Sequence, residues 1–247
     1  MQNRYVGDVG DYAKYALLRS IADEHTRLGI VWCLFPDESH NSDGRHTGYL
    51  RQREFRSLDP ELHDRLAAIV DAGRRSVSEI SRAKLFSSNT VCFSSHTAAP
   101  SDVAADRRAR ETFRDRWLSG ALAATSSCDV VFFDPDNGLE TPSVPRHSPK
   151  AGKYVFLDEL DSFWQRGQSL ILYHHLNRTA SVREQTITLK KRFVANFPNA
   201  AFVKSLLFRR GSCRHFWIFG QPAHAVELKS KIKTMLSSGW NAHFELE

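Results

Sequence analysis

The chain is predicted to fold as an α/β protein on a mostly parallel sheet, and three observations carry that prediction. Short, near-continuously apolar runs recur at residues 29–35, 90–93, 129–134 and 169–175, as parallel strands do when helices cover both faces. Segments of helical character lie between them, the alternation of a doubly wound, Rossmann-like sheet. The last third differs: two β-rich runs, 201–209 and 213–220, flank Arg210-Gly211-Ser212, a short glycine-containing connection that predicts a C-terminal antiparallel hairpin.

Taken in order, the first helix is expected over residues 12–26, with Asp11 as its N-cap. Strand 29–35 follows, then a helix over 61–72 that opens at Asp59-Pro60, with Asp at the cap and Pro at the first helical position. Strand 90–93, a helix over 103–124, strand 129–134, a helix over 157–165 and strand 169–175 continue the alternation. After the hairpin come a helix over 223–236 and an edge strand within 240–246. Residues 39–57 and 141–152 are expected to be long loops on the rim where the strands end. With no internal repeat or linker, the 247 residues are expected to form a single α/β domain, 1–247.

A hydrophobic fraction of 41% with 25% charged residues is ordinary for a globular chain. No apolar run reaches the ~18 residues of a membrane span, and Met1-Gln2-Asn3-Arg4-Tyr5 lacks a signal-peptide core. A cytoplasmic protein without a membrane partner is expected. Cys33, Cys92, Cys128 and Cys213 form no CxxC pair, so they are expected to be buried thiols rather than zinc ligands or a disulfide framework. The net charge is +6, with clusters at Arg107-Arg108-Ala109-Arg110, Lys190-Lys191-Arg192 and Arg209-Arg210. Such a surface attracts polyanions, and nucleic acid, RNA or DNA, is the expected partner. The 28 acidic residues equally suit an ordinary solvated surface.

The most informative stretch is 130–140, in which Val-Val-Phe-Phe leads into Asp134-Pro135-Asp136-Asn137-Gly138 and then Glu140. Pro135 stops the strand because it cannot donate to a ladder. Ligands of open α/β sheets sit outside the carboxyl ends of strands, so Asp134, Asp136 and Asn137 are the candidate catalytic residues. These are also ordinary turn residues.

Three further stretches supply candidates. The first carries Arg4, Tyr5, Asp8, Asp11 and Lys14 around two glycines at the start of a helix, whose free amides suit a polar or anionic ligand. Arg4 and Tyr5 are assigned to substrate, and Asp8, Asp11 and Lys14 to a cofactor. The second follows strand 29–35 and carries Asp37, Asn41 and Asp43. It has no GxGxxG phosphate cradle and no EF-hand spacing, so ribose hydroxyls, an amino group or a divalent metal suit it better than phosphate. The third is Tyr173-His174-His175-Leu176-Asn177-Arg178, at a strand end. Adjacent strand residues point to opposite faces, so the two histidines cannot easily share a metal. His174 and Arg178 are assigned to substrate.

Arg4-Tyr5, Gly7-Asp8, Asp11 and Lys14-Tyr15, together with Asp134-Pro135-Asp136-Asn137, resemble two motifs of the large-subunit ribosomal RNA adenine-N6 methyltransferase family (the J type). The resemblance implies a class I methyltransferase-like sheet that binds S-adenosylmethionine beside the first strand. It implies Lys14 and Asp37 near the cofactor and Asp134 at the target amine. The family has Asp-Pro-Pro-Tyr where this chain has Asp134-Pro135-Asp136-Asn137, so the Tyr that stacks on a flipped base is replaced by Asn137. Tyr49, Phe133 or Tyr173 could supply that ring.

The leading functional expectation is therefore an S-adenosylmethionine-dependent, methyltransferase-like protein acting on nucleic acid. One alternative is a nuclease or phosphodiesterase in which Asp8, Asp11, Asp37, Asp134 and Asp136 hold Mg2+. The other is a non-catalytic nucleic-acid-binding subunit.

Overall fold

The computed structural model describes residues 1–39 and 43–247. The strands are β1 (Leu28–Val31), β2 (Val91–Phe93), β3 (Val130–Phe133), β4 (Gly138–Leu139) and β5 (Tyr154–Val155), then β6 (Ser169–His175), β7 (Phe202–Arg210), β8 (Ser212–Gly220) and β9 (Phe244–Leu246). Seven of them form one sheet in the order β2-β1-β3-β6-β8-β7-β9, while β4 and β5 pair separately. The β2-β1-β3-β6 half is parallel. From β6 onward each pairing is antiparallel, so β8 and β9 run against the rest.

The helices are α1 (Val9–Ile21), α2 (Arg53–Arg56), α3 (Pro60–Asp71), α4 (Val77–Arg82) and α5 (Ser101–Ala104), then α6 (Arg107–Ala124), α7 (Leu157–Trp164), α8 (Val182–Asn196) and α9 (Ala225–Leu236). Both sheet faces are covered. Ile30, Phe132, Ile171, Phe216 and Ile218 pack with α1, α3 and α9. Their strand neighbours Val31, Phe133, Leu172, Trp217 and Phe219 pack with α6, α7 and α8. The two-residue period of a strand divides the core in this way, and it decides which polar residues reach the rim on the α1 side. No helix among the described residues is long and apolar enough to cross a membrane.

Several boundaries differ from expectation for identifiable reasons. Helix α1 starts earlier because Asp8, not Asp11, is its cap: the Asp8 carboxylate accepts from the amides of Gly10 at 2.8 Å and Asp11 at 3.0 Å. Strand β1 ends at Val31 rather than at 35. Beyond it the backbone turns to the chain's first residue, with the Met1 α-amino group donating to the Cys33 carbonyl at 3.1 Å and the Phe35 amide donating to the Met1 carbonyl at 2.8 Å. The helix expected over 103–124 is interrupted, because Asp106 caps a new start by accepting from the Ala109 amide at 2.6 Å. The region 39–57 contains a 3-10 turn, Gly48–Arg51, as well as α2. Asp59 and Pro60 open α3 as predicted. Helices α4 and α8 have no sequence-derived counterpart.

The thiols are only partly as expected: Cys33 and Cys128 are buried, Cys213 is half-buried and Cys92 is exposed, all of them free.

Candidate functional site at the strand ends

The carboxyl ends of β3 and β6, the start of β8 and the N-terminus of α1 enclose a cavity of about 340 Å3. Strand alternation selects its floor. Asp134 follows Phe133, which faces the α7 side, so Asp134 faces α1; Tyr173 and His175 do the same on β6. On β8, Arg214 stands opposite His175 in the antiparallel register. Tyr5, Asp8, Asp11 and Lys14 supply the wall, and Asp43, Asp136, Asn137 and Arg178 complete it among the residues predicted from sequence.

The deep end is a buried ion cluster. The Lys14 ammonium lies 2.6 Å from Asp11 Oδ1 and 2.7 Å from Asp134 Oδ2, with all three side chains about 4% exposed or less. The second Asp11 oxygen accepts from the Tyr15 hydroxyl at 2.7 Å. The rings of Tyr15, Trp32 and Tyr173 lie 5.5 to 5.7 Å from the ammonium, a cation–π enclosure. Burial opposes the Lys14 charge, but Asp11 and Asp134 outweigh it and hold the ammonium above its ordinary pKa. Asp136 meets the Met1 α-amino group at 2.7 Å, and that group also donates to the Asp134 carbonyl at 2.8 Å.

Two ammonium groups thus stand among the converging carboxylates, where the nuclease reading placed Mg2+. Among the described residues no three His, Cys, Asp or Glu side chains converge in a metal-holding arrangement.

The crevice between the ends of β1 and β3 is the topological switch point, since β1 is flanked by β2 and β3. Met1 and Gln2 fill it, at 2% and 0% exposure. Gln2 Nε2 donates to Asp136 Oδ2 at 2.6 Å and to Glu38 Oε2 at 3.1 Å, and Gln2 Oε1 accepts from the Glu38 amide at 3.0 Å. Glu38 is held further by Lys153 at 2.5 Å.

Several candidates stand elsewhere. Asp37 is exposed and accepts from the Arg4 amide at 3.2 Å, away from the cavity. Arg4 stacks on Tyr5 at 5.1 Å and donates to the Glu38 carbonyl, so it braces the loop and does not line the cavity. His174 points to the opposite sheet face, accepts from the Leu139 amide at 3.0 Å, and is driven down to about 3 by burial. It is a neutral structural residue, and His175 takes the cavity side. Asn41 lies outside the described residues. Of the three rings considered for stacking, Tyr49 and Phe133 are 4% and 1% exposed in the two cores, whereas Tyr173 lines the cavity.

The basic clusters are partly neutralised. Arg107 pairs with Glu111 at 3.4 Å, Arg209 with Glu245 at 2.9 Å, and Arg192 with Glu140.

Sequence reasoning missed the parts played by Met1, Gln2, Tyr15 and Arg214. Arg214 was within reach: residues 214, 216 and 218 share one face of the expected hairpin strand. Nothing in the pattern of the first two residues signals their burial. No protein-family model matches the chain, and no curated protein matches it.

Proposed function

We propose that the protein binds a nucleobase of a nucleic-acid strand in the cavity at the strand ends, on a methyltransferase-like scaffold. The supporting observation is the grouping of three chemistries in one pocket. The Asn137 carboxamide lines the cavity and makes no hydrogen bond with the described residues; beside it lie the Asp134 carboxylate and the half-buried Tyr173 ring. An amide reads a base edge, a carboxylate accepts from an exocyclic amine, and an aromatic ring packs on the base plane. The volume is at the small end of ligand pockets.

The scaffold reading has topological support: β8 returns between β6 and β7, and this closing edge resembles that of a class I methyltransferase sheet. S-adenosylmethionine beside the first strand is a poor fit to the residues present. Its expected position is filled by Met1 and Gln2, no glycine-rich loop follows β1, and Glu38 is engaged by Gln2 and Lys153. No methyl-transfer step is therefore derived, and the binding-subunit reading stands ahead of the catalytic one.

Calorimetric titration with short single-stranded oligonucleotides of adenine, cytosine and uracil tests the reading. Tighter binding of amino-bearing bases, weakened about tenfold in Asn137→Ala, is expected; equal affinity for all three sequences in both proteins would overturn it. The same titration with S-adenosylmethionine separates the alternatives, since saturable cofactor binding restores the catalytic reading.

A further inference from the structure

Among the described residues no carboxylate comes within ion-pair distance of Arg214; Asp8, the nearest to it across Gly10, acts on its charge only from farther off. Arg214 is 6% exposed and lines the cavity. Its Nη2 donates to Ser212 Oγ and, at 3.4 Å, to the Arg210 carbonyl. Nε is buried without a hydrogen-bond partner. Both acceptors are neutral oxygens, and among the described residues no carboxylate forms an ion pair with it. Arg114 shows the contrast. It is equally buried, at 3% exposure, yet takes Glu159 with two hydrogen bonds of 2.7 Å. A buried guanidinium without such a partner is costly, and its fork of donors matches an oxyanion.

Position narrows the ligand. Strand β6 lies between β3 and β8, so Asp134 and Arg214 flank Tyr173 and His175 across two interstrand spacings, roughly 10 Å. One end of the cavity therefore offers the Asp134 carboxylate and the Asn137 amide, and the other the Arg214 guanidinium, which is hydrogen-bonded to neutral oxygens and has the Asp8 carboxylate nearby without an ion pair. At the Arg214 end the His46 ring packs against Gly211 of the hairpin turn, and exposed Arg178 lines the same cavity. Several donors gathered at one end suit the three oxygens of a phosphate better than the two of a carboxylate.

We infer that Arg214 binds the phosphate of a nucleotide whose base lies against Asn137 and Asp134. The inference rests on the nucleobase reading above and adds the group that holds the nucleotide's other end. The hairpin is then part of the site, because β8 delivers the only cavity-lining guanidinium, among the described residues, that is nine-tenths buried.

The test is calorimetric titration of the full chain, Arg214→Gln and Arg214→Lys with adenosine 5′-monophosphate, adenosine and inorganic phosphate. In the unaltered protein the monophosphate is expected to bind about 10- to 100-fold more tightly than adenosine. That ratio should fall to about one in Arg214→Gln. Arg214→Lys keeps the charge without the fork, so it should give an intermediate ratio, and it serves as the readout if the Gln variant does not fold. Equal affinity for the two adenine compounds in the unaltered protein overturns the inference while leaving base binding intact, as does a ratio that survives in Arg214→Gln. Phosphate binding that depends on Arg214 without any binding of adenosine supports the anchor and removes the base reading. Silence toward all three probes overturns both. An adenine oligonucleotide that binds more tightly than the monophosphate assigns the phosphate to a strand; the reverse order assigns it to a free nucleotide.

Discussion

Gly10 lies directly against the guanidinium of Arg214, so closely that a methyl group at position 10 would stand 1.2 Å from Nη1. The contact joins the first turn of α1 to the start of β8, and it can exist only because residue 10 has no side chain.

Gly10→Ala is expected to expel the guanidinium rather than break the helix. The atom it meets is the far end of a flexible side chain, and Ala favours a helix over Gly by up to about 1 kcal/mol. Stability measured by urea unfolding should change by no more than about 1 kcal/mol, while the preference for adenosine monophosphate over adenosine collapses. A preserved preference would show that Arg214 does not act from this position.

Lys14→Met should destabilise the fold by about 3–5 kcal/mol, because it leaves Asp11 and Asp134 buried and facing each other without a cation. Adding Asp134→Asn to that variant should recover part of the loss. Equilibrium denaturation of the two single variants and the double variant measures the coupling. Strictly additive losses would mean that the 2.7 Å contact carries no coupling energy.

Stability should fall as the pH drops below 6.5. Burial holds His174 near 3 and His215 near 4 in the folded protein, whereas an unfolded imidazole titrates near 6.5. Between about pH 4 and 6.5 the unfolded chain therefore binds more protons, and each histidine contributes a slope of up to about 1.4 kcal/mol per pH unit. His215 sits between Ser205 and Thr186, 2.5 and 2.9 Å from their hydroxyls. Unfolding measured from pH 7 to 5 should show a shallower slope in His215→Asn; an identical slope would contradict the assignment.

Gly138→Ala should cost more than about 2 kcal/mol. Residue 138 has φ of +110° and a methyl there would lie 2.7 Å from the His174 Cα, a backbone atom that cannot give way. Strain at such a φ alone amounts to about 1–3 kcal/mol. Thermal denaturation checks the stability loss, and base binding should weaken with it because Asn137 is the preceding residue.

Much of this was legible where local chemistry and global fold agree. The run ending at Asp134, the Asp59-Pro60 cap and the glycine-centred hairpin each carry their own physical signal, and each appears in the structure. The Asp8 cap was misread by three positions because Asp8 and Asp11 both suit a helix start. Helix α8 carries little apolar periodicity, with only Thr186 and Phe193 buried, so its strongest cue is the capping box of Ser181 and Glu184. Half of the site was readable as motifs: Lys14 and Asp134 lie in conspicuous sequence and both line the cavity, but their 2.7 Å ion pair joins stretches read from the sequence in separate roles, cofactor and catalysis. The burial of Met1 and Gln2 was not readable, because it depends on a crevice that exists only after β1 and β3 have paired.

The Lys14–Asp134 contact spans 120 residues and the Met1–Asp134 contact 133. Arg214 joins them from a strand near the other end of the sequence. Loop closure over such distances is entropically expensive, and contacts of this separation slow folding. The pocket is therefore expected to form late in folding, and a contiguous fragment spanning one or two of its walls is expected not to bind the proposed nucleotide. Ligand binding should in turn report completion of the whole sheet, coupling occupancy of a 340 Å3 cavity to the global unfolding equilibrium.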